Sequence, residues 1–220
     1  MKPIESTLIH RVLPPERPSD RPSPLLIMLH GRGADEEDLP GLAGLLDGRF
    51  LVVSPRAPLP FPYGGFTWYE HDEIGTPETN TFTGSYEKLL AFVEEVKRGY
   101  PVDPARTFLF GFSMGSVMSF ALSLTHPELF AGVVVNSGYV PEGTPLQFRW
   151  NDLAHTAFFI GHGTADPVIP IPLARRARDL FAHSTAPFIY REYPVEHQIS
   201  DAGIADVAAW LRDHLDSRKP

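Results

Sequence analysis

Short, continuous apolar runs recur along the chain and are separated by segments with helical spacing. A strand that is covered on both faces of a sheet has this continuous pattern, whereas a strand with one wet face alternates between apolar and polar residues. The runs therefore predict a sheet with both faces buried. The predicted strands span residues 7–13, 25–29, 50–53, 107–110, 132–135, 157–160 and 188–193.

Amphipathic segments lie between these strands. The clearest is 85–97, where apolar residues from Leu89 to Val96 fall on one broad stripe of a helix. Strands that alternate with helices imply right-handed crossovers, so we predict an α/β fold with a mostly parallel sheet and helices on both faces, formed by residues 1–220 as a single domain. Ligands of such sheets bind beyond the carboxyl ends of the strands. The predicted helices span residues 35–46, which Pro40 and Gly41 interrupt, 85–97, 114–124, 173–181 and 202–215.

Ser113 is the candidate nucleophile. It lies in the sequence GFSMG at 111–115, which follows the predicted strand 107–110 and leads directly into a predicted helix. A strand-to-helix turn of this kind holds the serine at strained dihedral angles, and glycine two residues before and after it avoids collisions with neighbouring elements. The alternative is a tight turn that uses glycine and a capping serine for structure alone.

A serine hydroxyl is a poor nucleophile near neutral pH, so it needs a base and a group that holds this base in the right tautomer. In the strand-turn-helix setting the order along the chain is serine, acid, histidine. Asp166 follows the predicted strand 157–160, and His197 follows the last strand and leads into the final helix. We therefore predict Asp166 as the acid and His197 as the base. An Asx-turn before Pro167 is the structural alternative for Asp166.

The negative charge that develops during acyl transfer needs hydrogen-bond donors, and backbone amides are the usual source. One donor is expected to be the amide of Met114, directly after the serine. The other is expected in the loop after strand 25–29, where Arg32 lies between two glycines. His30 ends the same strand, and we expect it to brace this loop rather than to take part in the chemistry.

Four motifs in the order LHGRGAD, GFSMGS, HGTADPVIP and YPVEHQI make the chain resemble the phospholipase/carboxylesterase family, which includes acyl-protein thioesterases. The resemblance implies an α/β-hydrolase fold with no large lid domain, and it gives the triad roles to Ser113, Asp166 and His197. It also implies that Arg32 and Met114 supply the oxyanion amides. Members of this family hydrolyse carboxylic esters of modest acyl length, lysophospholipids or protein thioesters.

Two departures from the family pattern are visible. Met114 stands where many members have Gln, which keeps the amide donor but changes the edge of the pocket. Glu196 stands before the histidine where many members have Gly.

The segment 55–83 is long for a connection within a compact domain and is rich in aromatic residues. Such side chains can wall an acyl pocket or form a small cluster against the sheet. We predict Phe66, Trp68 and Val168 as substrate-binding residues and keep the structural alternative open for the two aromatic ones.

The composition limits the classes of molecule that the protein is expected to bind. A formal charge of −8 argues against nucleic acid and anionic lipid, because both are bound by clustered Lys and Arg. No apolar run approaches the ~20 residues of a spanning helix, so no stable membrane insertion is expected, and the lack of a signal-peptide pattern predicts a cytoplasmic protein. The chain has no cysteine, which excludes disulfides and thiol nucleophiles. No compact His and carboxylate spacing predicts a metal site, and no cofactor is expected.

These features together predict a serine hydrolase that cleaves small carboxylic esters with short to medium acyl chains through an acyl-enzyme. The alternatives with the same triad are an acyl-protein or acyl-CoA thioesterase and a lysophospholipase. A remote alternative of another class is a noncatalytic hydrolase-fold protein that binds a hydrophobic ligand. The sequence leaves open whether the chain forms a homodimer.

Overall fold

A seven-stranded sheet forms the centre of the computed structural model, which describes residues 1–217. The prediction of one domain over residues 1–220 includes three residues outside this range. The strands are β1 (His10–Leu13), β2 (Ser23–Leu29), β3 (Leu51–Pro55), β4 (Leu59–Pro60), β5 (Phe66–Thr67), β6 (His71–Glu73), β7 (Thr76–Pro77), β8 (Val102–Phe112), β9 (Gly132–Asn136), β10 (Ala157–Gly163) and β11 (Phe188–Tyr193). The helices are α1 (Thr79–Gly99), α2 (Met114–Thr125), α3 (Ile171–Ala182) and α4 (Asp201–Ser217), with short 3-10 helices at Leu39–Leu45, Pro127–Leu129 and Trp150–Asp152.

The large sheet has the strand order β1-β3-β2-β8-β9-β10-β11. β1, at one edge, runs antiparallel to β3, while the other neighbours in the described sheet are parallel. The strands β4 to β7 form two separate two-stranded ribbons. The predicted mostly parallel sheet is therefore confirmed, and the carboxyl ends of its parallel strands lie at one edge.

Alternate side chains of the central strands enter two cores on opposite faces of the sheet. On β8, Leu109 packs in the core that contains residues of α1, α2 and α3, whereas Phe108 and Phe110 pack in the core that contains residues of α4. Helices therefore cover both faces, as predicted, and this explains why residues 25–29 of β2 are all fully buried. Within residues 1–217, no helix is long and apolar enough to cross a membrane.

Helix α1 begins at Thr79, six residues before the start that the apolar stripe predicts. The side chain of Glu78 caps it by accepting hydrogen bonds from the amides of Asn80 and Thr81 at 2.9 and 2.8 Å. The stripe did not reveal this first turn because its residues are polar apart from the buried Phe82, and the Glu78 cap fixes its amides. The long connection predicted at 55–83 is thus shorter, and it contains the two ribbons.

The predicted helix 35–46 is wrong. This segment forms only a 3-10 helix at Leu39–Leu45, with Pro40 in its first turn. Proline lacks the amide that an α-helix needs beyond its first turn, so the helical spacing of the apolar residues does not develop into an α-helix. Strand lengths also differ, most clearly at two strands: the strand predicted at 7–13 covers only His10–Leu13, and the one predicted at 107–110 extends over Val102–Phe112.

The amino end of α2 lies directly against the ends of two strands. At Gly115 a Cβ atom would overlap the backbone carbonyl of Leu29 at the end of β2. At Gly111 a Cβ atom would lie 2.6 Å from the backbone of Gly115 and of Ser116. Any larger side chain would therefore push α2 away from β2, which is the physical reason for glycine at both positions.

We expect Gly115→Ala to lower the free energy of unfolding by about 3 kcal/mol or more, because the added methyl group meets rigid backbone. Gly84→Ala on α1 is the matched control, since its Cβ meets nothing within 4 Å; it should stabilise the protein by about 0.5–1 kcal/mol. Denaturant unfolding followed by circular dichroism measures both. Equal stabilities of the two variants would contradict the close packing of α2 on β2.

Candidate active site

Ser113 occupies a strained turn between β8 and α2. Its dihedral angles are φ 54° and ψ −119°, in the left-handed region that residues with a side chain rarely adopt. The Ser113 amide donates a hydrogen bond to the carbonyl oxygen of Asn136 at 3.0 Å, and the Ser116 hydroxyl donates to the same oxygen at 2.7 Å. The end of β9 therefore holds the turn, and the turn holds the hydroxyl of Ser113 at the carboxyl edge of the sheet.

The structure brings the three predicted triad residues into one hydrogen-bonded chain. His197 Nε2 lies 2.9 Å from Ser113 Oγ, and His197 Nδ1 lies 2.7 Å from Asp166 Oδ2. With the imidazole proton on Nδ1 and donated to Asp166, Nε2 is free to accept the serine proton. The three residues come from the ends of β8, β10 and β11, so strand order alone accounts for their meeting across 84 positions of sequence.

The carboxylate of Asp166 is fixed from both sides. Its Oδ1 accepts hydrogen bonds from the amides of Val168 and Ile169 at 2.9 and 2.8 Å, while Oδ2 accepts from His197. Burial raises the pKa of Asp166, but the hydrogen bonds from His197 and the two amides outweigh burial and hold the pKa below its usual value. Asp166 is therefore ionised at neutral pH and can stabilise the imidazolium that forms during proton transfer.

His162 supports the turn that carries Asp166. This buried histidine donates from Nε2 to the carbonyl oxygen of Ile169 at 2.8 Å, and the same nitrogen lies 3.5 Å from Asp166 Oδ2. Burial lowers the pKa of His162, so the ring is neutral. These contacts are those of a structural residue that braces the turn. Within the described residues, no group of three or more His, Asp or Glu side chains is arranged to hold a metal ion.

The two predicted oxyanion donors lie on the loops that flank Ser113. Met114 is the first residue of α2, so its amide has no acceptor within the helix. In the loop after β2, the amides of Gly33 and Ala34 donate to carbonyl oxygens of Phe66 and Gly31, whereas no acceptor for the Arg32 amide is found among residues 1–217. Two amides are thus free to donate to an oxygen that develops negative charge.

His30 braces this loop from below. The Ala57 amide donates to His30 Nε2 at 3.0 Å, so the ring proton is on Nδ1, which donates to the carbonyl oxygen of Gly31 at 2.7 Å. Burial lowers the pKa of His30, which keeps the ring neutral. Its own carbonyl accepts from the indole of Trp68 at 2.9 Å. These contacts are those of a structural residue, as expected from its place at the strand end.

A cavity of about 100 Å³ opens beside Ser113, and Val168 is among the residues that line it. The prediction that Trp68 and Phe66 line this pocket is corrected. Trp68 is fully buried in the core, where its indole holds the end of β2. Phe66 instead packs under the guanidinium of Arg56, 4.5 Å from the ring centre, beside a different cleft. Both aromatic rings therefore have the structural role that was kept open for them, because the loop folds back onto the sheet.

Other residues complete the cavity wall. Tyr69, His71 and Tyr139 line it, and the Tyr69 hydroxyl lies 3.0 Å from the Tyr139 hydroxyl. Tyr69 was within the aromatic segment singled out from the sequence, but Tyr139 was missed. The available signal was its place three residues after β9, at the sheet edge where ligands bind. Residue Ser137, with φ 50°, turns the chain sharply between β9 and Tyr139.

A parallel sheet that presents a serine on a strained turn, with an aspartate and a histidine from two later strand ends, defines the α/β-hydrolase class of enzymes. Within this class, the chain belongs to the phospholipase/carboxylesterase family, whose sequence profile matches residues 13–215. The resemblance carried by the four motifs is thereby confirmed, and the protein is a hydrolase.

Several named relatives are similar to the chain. Acyl-protein thioesterase 1 of Debaryomyces hansenii is 30% identical over 177 residues, which are 74% of this chain and 75% of the relative. Acyl-protein thioesterase 1 of Candida albicans is 27% identical over 209 residues, 86% of this chain and 90% of the relative. A probable carboxylesterase of Oryza sativa is 26% identical over 172 residues, 74% of this chain and 64% of the relative.

Solved structures have the same fold. The Bacillus cereus carboxylesterase superposes with a TM-score of 0.83 at 21% identity, covering 94% of each chain. The carboxylesterase from Mesorhizobium loti superposes with a TM-score of 0.83 at 24% identity, covering 94% of this chain and 96% of that one. At these identities the superpositions establish the α/β-hydrolase fold.

We expect Asp166→Asn to lower kcat for ester hydrolysis by about three to four orders of magnitude, because the amide favours the histidine tautomer that cannot accept the serine proton. Steady-state kinetics at neutral pH test this. Asp179→Asn is the matched control, since this exposed aspartate on α3 pairs with Arg178 at the surface. A kcat for Asp166→Asn within tenfold of the wild type would remove Asp166 from the triad.

Proposed function

We propose that the protein is a serine hydrolase that cleaves carboxylic esters of short acyl chains through an acyl-enzyme. The observation that carries this proposal is the continuous hydrogen-bonded chain from Ser113 Oγ through His197 to Asp166, with contacts of 2.9 and 2.7 Å. The order of the three residues, the strained turn and the two free amides support it further.

Acylation follows from this geometry. Ser113 Oγ attacks the ester carbonyl carbon while its proton moves to His197 Nε2, and Asp166 stabilises the resulting imidazolium. The carbonyl oxygen becomes an oxyanion that accepts hydrogen bonds from the amides of Arg32 and Met114. When the tetrahedral intermediate collapses, the bond to the leaving oxygen breaks and His197 returns the proton to it, so an alcohol leaves.

Deacylation repeats the same proton path with water. His197 Nε2 accepts a proton from a water molecule, whose oxygen attacks the acyl carbon. The second tetrahedral intermediate releases Ser113 Oγ, which regains its proton from His197, and the carboxylic acid leaves. Each cycle therefore consumes one ester and one water and returns the triad to its starting protonation.

The size of the cavity supports short acyl groups. Its volume is about 100 Å³. Sites that enclose larger ligands have volumes of roughly 300–1,000 Å³. An acyl chain of two to four carbons fits, whereas a longer chain has to extend out of the cavity past Val168, whose side chain is half exposed.

The second candidate is hydrolysis of a thioester, as an acyl-protein or acyl-CoA thioesterase. The names of the yeast relatives favour this candidate, because acyl-protein thioesterases cleave a thioester with the same catalytic groups. Lysophospholipase activity is a further candidate within the family. A noncatalytic ligand-binding role is disfavoured because all three triad residues are present and in contact. A cytoplasmic location stays a prediction, and the homodimer stays open.

We expect Ser113→Ala to lower kcat/KM for p-nitrophenyl acetate by 10³-fold or more, because the nucleophile is lost. A fluorophosphonate probe should label the wild type at Ser113 and leave the variant unlabelled. Ser184→Ala, at the far end of α3, is the control and should keep both properties. Failure of the wild type to react with the probe would instead favour the noncatalytic alternative.

The acyl preference separates the remaining candidates. Among p-nitrophenyl esters, we expect kcat/KM to be highest for acyl chains of two to four carbons and to fall by about tenfold or more at octanoate, because the cavity is then overfilled. A butyryl thioester measured beside the butyrate ester compares the two leaving groups at constant acyl size. A rate that rises steadily up to palmitate would contradict the short-chain proposal and favour the thioesterase or lysophospholipase candidates.

A further inference from the structure

Two tyrosine hydroxyls meet in the wall of the cavity beside Ser113. Tyr69 and Tyr139 both line this cavity, and their hydroxyl oxygens lie 3.0 Å apart. The two residues are only 1% and 3% exposed, so their hydroxyl groups are withdrawn from bulk water. Burial raises the pKa of both phenols, and both therefore keep their protons at neutral pH.

Counting protons shows that this pair carries one donor too many. Each phenol has one proton, and the single contact between the two oxygens uses one of the two protons. Either hydroxyl can be the donor of this contact, so one phenol proton of the pair has no acceptor, whichever tyrosine carries it. Neither tyrosine hydroxyl has another hydrogen-bond acceptor among residues 1–217. A buried donor without an acceptor is unfavourable, which points to an acceptor that arrives with the ligand.

A second unpaired donor belongs to the same wall. Arg32 Nη1 donates to His71 Nε2 at 3.2 Å, so the neutral His71 ring carries its proton on Nδ1. His71 Nδ1 is buried and has no hydrogen-bond partner. Burial and the neighbouring Arg32 both lower the pKa of His71, which keeps the ring neutral. Arg32 also lines the cavity, and its guanidinium pairs with Glu70 at 3.4 Å.

We propose that the acyl half of the substrate is short and carries an oxygen acceptor within the length of a four-carbon chain, and that the Tyr69–Tyr139 pair donates its free phenol proton to this oxygen. This inference rests on the proposed ester hydrolysis and adds the chemical class of the acyl group. The acceptor is a neutral ether, hydroxyl or oxo oxygen, or a terminal carboxylate oxygen. A purely aliphatic acyl chain fills the same space but leaves the phenol proton unpaired, so it is selected against.

The first test uses the wild-type enzyme and two esters of equal shape. p-Nitrophenyl methoxyacetate differs from p-nitrophenyl butyrate by one oxygen in place of a methylene, and p-nitrophenyl hemisuccinate places a carboxylate at the chain end. Dividing each kcat/KM by the rate constant for hydroxide-catalysed hydrolysis removes the difference in intrinsic reactivity. We expect at least one oxygenated ester to exceed butyrate by about tenfold after this correction. The better of the two identifies a neutral or a charged acceptor.

The second test locates the donor. The double variant Tyr69→Phe/Tyr139→Phe should reduce the corrected preference for the oxygenated ester to about one, because it removes both phenol protons from the wall, and the two single variants show which phenol contributes more. Tyr86→Phe is the matched control. It also loses one phenol contact, 2.8 Å to Thr125, but at the far end of α2, about 18 Å from Ser113. This control should keep the wild-type preference.

The outcomes distinguish a failure of the inference about the acyl group from a failure of the proposed ester hydrolysis. A wild-type enzyme that hydrolyses all three esters with the hydroxide pattern overturns the inference and leaves the proposed function standing, even if no tyrosine variant folds. A preference that persists in the double variant Tyr69→Phe/Tyr139→Phe overturns the role of the tyrosine pair. If Ser113→Ala keeps wild-type hydrolysis, the proposed function itself fails.

Discussion

The packing of the first turn of α2 against the end of β2 is the constraint on which the site depends. Without a side chain at Gly115, the helix backbone reaches the carbonyl of Leu29, and Ser113 is carried with it to the edge of the sheet. The chain leaves β2 at the same point and enters the loop that carries Arg32. This backbone contact therefore fixes Ser113 and the amides of Arg32 and Met114 relative to one another, which is the preorganisation that the proposed acyl transfer requires.

Around this contact, buried polar groups are paired with one another, and Ser113 Oγ and His197 Nε2 remain available for the proposed proton transfer. Asp166 accepts hydrogen bonds from two amides and from His197, and this compensates for removing its charge from water. His30 and His162 are neutral and use their protons on backbone carbonyls. At the sheet edge, by contrast, Nε2 of His197 carries no proton and faces the hydroxyl of Ser113.

The central strands, α2 and the triad were predictable because their signals are local. A continuous apolar run, a glycine on each side of a serine, and a polar residue at a strand end are each visible within about ten residues, and the rules of parallel sheets then bring the strand ends together. The start of α1 was not predictable from its apolar stripe, since the residues around Phe82 are polar and a side-chain cap fixes the first amides of the helix.

The pocket was the least predictable part for a related reason. An aromatic residue in a long loop is equally suited to a core and to a ligand wall, and only the path of the loop decides between them. Trp68 went to the core and its neighbour Tyr69 to the cavity. The contact between Tyr69 and Tyr139 joins residues 70 positions apart, and no local pattern announces such a pair.

The residues that line the cavity differ in what they do besides lining it. Val168 and Ile169 line it, and their amides also hold the carboxylate of Asp166. His71 and Ile74 also line it, but they belong to the ribbon of β6 and β7, which contributes no group to the proposed proton transfer. Substitutions are therefore tolerated better in the ribbon than in the turn that carries Asp166. Relatives can diverge in substrate choice by changing the ribbon while reactivity is preserved. Changes in the aspartate turn alter substrate choice and reactivity at once. The ribbon is therefore where new selectivities can evolve at little risk to turnover.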